Sequence, residues 1–114
     1  MSKQFKLKKY NSFGLDVTAR EFVEIKSEQE LIDLISGGHL INKSILVMGG
    51  GSNLLFRNNF DGIILKPVNN QIRILEESSD KIILECGAGL LWDDFVEYCV
   101  DKGYGGIENL SHIP

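Results

Sequence analysis

Three consecutive glycines, Gly49-Gly50-Gly51, directly follow the apolar run Ile45-Leu46-Val47-Met48, and no other feature restricts the fold as much. A continuous apolar tetrad reads as a strand covered on both faces, as in a parallel sheet. Glycine, lacking Cβ, lets the backbone approach a neighbour or a ligand closely. Successive amide N–H groups in such a turn form a concave anion site, and open α/β sheets bind ligands at the carboxyl ends of their strands. Ser52 and Asn53 add a hydroxyl and a carboxamide to the same turn. A tight structural turn is the competing reading, because the run fits neither standard phosphate motif. Leu54 stands where a dinucleotide fingerprint needs glycine, and no lysine follows Gly51 as a nucleoside-triphosphate loop requires.

The flanking sequence places this turn in a βαβ unit. Val17 to Ile25 is rich in β-branched and aromatic residues and reads as a strand. Ser27-Glu28-Gln29-Glu30 is a capping box, and Leu31, Ile32, Leu34 and Ile35 follow at helical spacing until Gly37-Gly38. The helix therefore spans Glu28 to Ser36, and Ile45 to Met48 is the second strand. Gly62 to Lys66 is a further short strand, entered through a turn at Asn58 to Asp61.

The pattern changes near Pro67. Ile72 to Glu77 and Lys81 to Cys86 read as an antiparallel hairpin turning through Ser78-Ser79-Asp80. Gly87-Ala88-Gly89 breaks it. Leu91, Trp92, Phe95, Val96, Cys99 and Val100 then form the stripe of an amphipathic helix, with Asp93 and Asp94 at its positive end and Lys102 at its negative end. Trp92 is read as part of that core stripe. Gly103 closes the helix, and residues 104–114 show no period. The fold class is α+β: residues 1–66 form a lobe with a βαβ unit and a small parallel sheet, and residues 67–114 begin a second, antiparallel lobe.

Charge and composition narrow the function. Lys+Arg is 12 and Asp+Glu is 16, a net charge of -4. That argues against nucleic acid or an anionic membrane as partner, since both need basic patches. Lys3, Lys6, Lys8 and Lys9 read as a solvated arm, with no apolar segment of the kind a secretory signal carries. No apolar run approaches the roughly 18 residues that span a bilayer, and a cytoplasmic protein is the expectation. Cys86 and Cys99 match no metal or redox spacing and read as small buried hydrophobes. His39 and His112 read as loop residues, and Glu108 and Asn109 as turn residues able to orient a ligand. No catalytic set, carboxylate pair or metal cluster is recognisable.

Several segments occur together in a familiar order: Asn11-Ser12-Phe13-Gly14, Gly49 to Leu55, Gly87-Ala88-Gly89 with Trp92, and Gly106-Ile107-Glu108-Asn109-Leu110 leading to Ile113-Pro114. Their spacing resembles the N-terminal part of the UDP-N-acetylenolpyruvoylglucosamine reductases, also called UDP-N-acetylmuramate dehydrogenases. Those flavoproteins of peptidoglycan precursor synthesis carry an FAD-binding domain of the p-cresol methylhydroxylase type. The resemblance implies that Gly49, Gly50, Gly51, Ser52 and Asn53 wrap the FAD pyrophosphate. It places Val47 and Met48 beside the cofactor, and it makes Ile113 and Pro114 the start of a second FAD-contacting loop.

The resemblance also implies the reaction. NADPH reduces FAD, and the flavin reduces the enolpyruvyl group of a UDP-sugar, UDP-N-acetylglucosamine enolpyruvate, to UDP-N-acetylmuramate. The family's proton-donating serine, and the arginine and glutamate that stabilise the intermediate, match no residue here. These 114 residues are therefore expected to be inactive alone. Two alternatives stay open: an FAD-binding piece of another oxidoreductase of the superfamily, and a stand-alone phosphate- or nucleotide-binding module. The absence of histidine between Gly49 and Cys86 disfavours oxidases that attach flavin covalently. The oligomeric state is unread.

Overall fold

The computed structural model describes residues 4–52 and 54–110, which divide into two compact units, Met1–Val68 and Asn69–Pro114. The first unit is built on a four-stranded sheet. Its strands are β1 (Phe5–Lys6), β2 (Thr18–Ile25), β3 (Ile45–Val47) and β4 (Phe60–Pro67), with helix α1 (Glu28–Ser36) between β2 and β3. The order across the sheet is β1-β2-β4-β3. β1 runs antiparallel to β2, while β2 and β3 both run parallel to β4.

Helix α1 has the limits that its capping signals predict. The Ser27 hydroxyl accepts from the Glu30 N–H at 3.2 Å. The Glu30 carboxylate reaches back to the Lys26 N–H at 2.7 Å, one residue earlier than an ideal capping box. Only half of the expected apolar stripe is used: Leu31 and Leu34 pack on the sheet, while Ile32 and Ile35 remain exposed.

The order of strands corrects the reading of the apolar run. β4 inserts between the two strands of the βαβ unit, so β3 lies at the sheet edge. Ile45 is 44% and Val47 65% exposed, and the strand covered on both faces is β4. Side chains alternate across a strand, so β4 serves two cores. Ile63 and Leu65 join Ile25 beneath α1, with Leu31, Leu34 and Leu40 around them. Ile64 points to the other face and packs with Leu7, Ala19 and Met48.

That second core corrects the reading of the basic arm. Phe5 and Lys6 pair with β2, and Lys8–Tyr10 form a turn of 3-10 helix. Leu7 between them is fully buried. Phe5 stacks on Phe22 with ring centroids 4.3 Å apart, and Tyr10 lies 4.7 Å from the same ring. Lys6, Lys8 and Lys9 face water while Phe5, Leu7 and Tyr10 pack against the core.

The second unit contains the expected hairpin, β5 (Ile72–Glu77) and β6 (Ile82–Cys86), closed by the Ser78 N–H donating to the Lys81 carbonyl at 2.9 Å. Helix α2 (Trp92–Asp101) follows, with Asp93 and Asp94 in its first turn and Lys102 as its C-cap. A 3-10 turn at Glu108–Leu110 gives structure to a stretch whose sequence shows no period. Cys99 is buried on α2, as expected, but Cys86 is exposed, and both thiols are free. Cys86 ends an exposed hairpin strand, which has no core to bury it. Among the described residues no helix is long and apolar enough to cross a membrane.

Candidate functional site

The glycine turn leaves the carboxyl end of β3, and the β3·β4 ladder explains where it leaves. The Ile63 N–H donates to the Ser44 carbonyl at 2.8 Å, and the Met48 N–H donates to the Leu65 carbonyl at 2.9 Å. In this parallel register the next donor toward β3 is residue 67, which is proline and has no N–H. Pairing stops at Met48, and Gly49 is the first residue released from the sheet.

The three glycines then divide into two kinds. A Cβ on Gly49 or Gly50 would meet nothing within 4 Å. Gly51 is buried at φ +76°, and a Cβ there would overlap the Tyr10 carbonyl oxygen. Its own carbonyl accepts from the Ser12 N–H at 3.2 Å. Gly51 thus docks the turn on the N-terminal segment, while Gly49 and Gly50 present open backbone. The tight-turn reading fits Gly51, and the open backbone that a ligand site needs is confined to Gly49 and Gly50.

The segment under Gly51 is held by a side chain that periodicity could not single out. Asn11 is buried, and its carboxamide donates to the Leu7 carbonyl at 2.8 Å and to the Leu15 carbonyl at 3.2 Å. Its oxygen accepts from the Leu15 N–H at 2.9 Å. One side chain therefore closes the loop 7–15 against which the glycine turn rests. The signal available in the sequence was an isolated Asn before Ser12-Phe13-Gly14, a turn cue.

Among the described residues, the N–H groups of Gly49, Gly50, Gly51 and Ser52 donate to no protein acceptor. Main-chain donors left without acceptors in a glycine turn are the raw material of an anion nest. Lys66, near the end of β4, brings a cation to the same place: its Nζ donates to the Gly49 carbonyl at 2.7 Å. Met48 fills the core with its side chain and leaves only its main chain at the strand end, while Val47 is exposed. Asn53, Ile113 and Pro114 lie outside the described residues, as does His112.

The remaining candidates are satisfied locally. His39 Nε2 lies 2.8 Å from a Glu21 carboxylate oxygen, and Lys43 Nζ is 3.4 Å from the other. The His39 hydrogen bond, helped by Lys43, holds the Glu21 carboxyl below the usual carboxylate range despite some opposing desolvation. Glu108 is also held low, by its own backbone N–H first and then by that of Gly106, which donates to it at 2.7 Å. Trp92 packs on Phe95 at 5.7 Å and donates its indole N–H to the Leu110 carbonyl at 2.5 Å. Gly87 follows the end of β6, and a Cβ there would overlap the Asn69 carbonyl, so the position requires glycine.

The chain is 43% identical over all 114 residues to a UDP-N-acetylenolpyruvoylglucosamine reductase of Bacteroides fragilis, covering 34% of that protein. It is 38% identical over 111 residues to the Pseudomonas putida reductase, covering 97% of this chain and 33% of that one. The chain thus spans about a third of the length of the curated relatives it matches. Its fold matches the crystal structure of the Thermus caldophilus UDP-N-acetylenolpyruvylglucosamine reductase with a TM-score of 0.67 at 21% identity, covering 98% of this chain and 38% of that one. The FAD binding domain family model matches residues 19–114, a span that includes the glycine turn, both parallel partners of β4 and the whole second unit. The chain belongs to the FAD-binding-domain family.

Proposed function

We propose that this chain is the N-terminal FAD-binding portion of a flavoenzyme that reduces UDP-N-acetylglucosamine enolpyruvate to UDP-N-acetylmuramate with NADPH. On this reading the protein works in peptidoglycan precursor synthesis in the cytoplasm, and its substrate partner is a UDP-sugar. The observation that carries the reading is the run of open main-chain N–H groups at Gly49, Gly50 and Ser52, released at the carboxyl end of parallel strands.

The residues present fit the cofactor. Gly49 and Gly50 leave space above the backbone, so a pyrophosphate oxygen can approach the amides directly. Gly51 fixes the turn against Tyr10 and Asn11, so those amides are held in place before a ligand arrives. Ser52 and Asn53 add side-chain donors, and the strand end at Val47 and Met48 forms the floor. Ile113 and Pro114 begin a second contacting loop; residues 1–66 form the first FAD-binding lobe, and residues 67–114 begin the second. Bound flavin supplies the hydride chemistry; these residues bind and orient it.

The test is an amide NMR titration of the chain with FAD and with inorganic pyrophosphate. The expected result is that both ligands shift the resonances of Gly49 to Ser52, with FAD bound more tightly. Shifts confined to other residues overturn the assignment of the loop. Equal affinity for FAD and pyrophosphate supports a phosphate-binding module instead.

A further inference from the structure

We propose that Lys66 is a phosphate-positioning residue of the glycine turn: its ammonium fixes the Gly49 carbonyl and presents an uncompensated positive charge to the diphosphate of the ligand. This rests on the reading of the turn as the FAD pyrophosphate site, and it adds a residue that lies 17 positions beyond Gly49 in the sequence.

The ladder places Lys66 where it can do this. Pro67 cannot donate toward β3, so backbone pairing ends one residue before Gly49. The Lys66 side chain takes over the next position, donating from Nζ to the Gly49 carbonyl at 2.7 Å. With that carbonyl held toward β4, the peptide plane between Gly49 and Gly50 is set, and with it the direction of the Gly50 N–H.

The charge is not spent on a carboxylate. Glu24 stands opposite Lys66 in the β2·β4 register, yet the ammonium goes to the carbonyl. Among the described residues the ion pairs use other cations: Arg20, His39, Lys43, Arg73 and Lys81. A neutral carbonyl leaves the full positive charge in place. The chain as a whole carries a net charge of -4, so its long-range field repels a dianionic ligand. A local cation at the turn reverses that field at short range, where Coulomb attraction is strongest.

The experiment compares wild type, Lys66→Gln and Lys66→Arg by amide NMR titration with FAD, inorganic pyrophosphate and riboflavin at two salt concentrations, after thermal unfolding has shown each variant folded. Glutamine keeps an N–H donor, one bond shorter in reach, but carries no charge, so the comparison weighs charge against a neutral donor. Loss of a charge-assisted contact predicts roughly tenfold to hundredfold weaker binding of FAD and pyrophosphate by Lys66→Gln, with reduced salt dependence. Lys66→Arg should retain most of the affinity. Riboflavin, which has no phosphate, should bind Lys66→Gln as it binds wild type. Unchanged FAD affinity in Lys66→Gln, or equal weakening of riboflavin, overturns the role of Lys66 and leaves the loop assignment standing. Failure of wild type to shift the Gly49 to Ser52 amides overturns both.

Discussion

Gly51 and Tyr10 occupy one another's space: the Tyr10 carbonyl oxygen lies where a Cβ on Gly51 would have to go. Gly51 also sits at φ +76°, a conformation that costs an L side chain about 1–2 kcal/mol. Overpacking adds about 1–3 kcal/mol more. Gly51→Ala should therefore destabilise the chain by at least about 2 kcal/mol and lower Tm by roughly 10 °C. Gly50→Ala, with open space above it, should leave Tm within about 2 °C of wild type. Thermal unfolding followed by circular dichroism separates the two. Equal losses at both positions would mean that the glycines are not divided as described.

Asn11 makes three hydrogen bonds from one buried carboxamide. Asn11→Ala leaves the Leu15 N–H without its acceptor, and it takes one of two donors from the Leu7 carbonyl, which keeps the Tyr10 N–H at 2.8 Å. A buried polar group stripped of its partner costs about 1–3 kcal/mol. The variant should lose about 2 kcal/mol or more in urea unfolding, and hydrogen exchange should rise at Leu15 and Ser12. Because Ser12 donates to Gly51, ligand-induced shifts at the glycine turn should weaken in parallel. A stable variant with unchanged exchange would show that Asn11 does not organise the loop.

These two residues mark the limit of what periodicity can reveal. Local signals sufficed for α1 and for the hairpin, because Ser27, Glu30 and the turn at Ser78 to Asp80 act on neighbours a few positions away. The position of the glycine turn at a strand end was equally legible. Strand order was not: Ile45-Leu46-Val47 and Ile63-Ile64-Leu65 are alike in apolarity, and only the insertion of β4 between β2 and β3 decides which is buried. Leu7 among lysines has no period, since its burial depends on the arm's pairing with β2, 12 to 14 residues on. The division of labour among the glycines and the place of Lys66 depend on contacts 17 to 41 residues apart, which no local pattern encodes.

The Glu21 carboxyl is held below its usual value by the His39 hydrogen bond and by Lys43. A folded-state value lower than the unfolded one gives stability that is fully present above the unfolded value. It is lost as pH falls through the folded one. Stability should therefore fall on acidification below about pH 4.5, and part of that fall should be absent from Glu21→Gln. At pH 7 the substitution should cost no more than about 1 kcal/mol, as expected for a solvent-screened pair. Urea unfolding of both proteins from pH 7 to pH 3 reads the difference. Parallel curves across that range would remove Glu21 from the acid limb.

Trp92 is the one tryptophan of the chain, and its indole N–H ties α2 to the 3-10 turn through the Leu110 carbonyl. The bond spans 18 residues and stitches the Gly103 to Leu110 segment onto the helix. Trp92→Phe keeps an aromatic ring against Phe95 but removes the donor. The expected loss is about 1 kcal/mol, with hydrogen exchange at Leu110 and proteolysis between Gly103 and Leu110 raised about fivefold. Wild-type fluorescence should report the same docking, shifting to longer wavelength when the turn detaches at low denaturant before the main transition. If Trp92→Phe leaves exchange in that segment unchanged, the segment is held by the Leu110 to Ile107 bond and the Tyr98–Tyr104 ring contact without help from the indole.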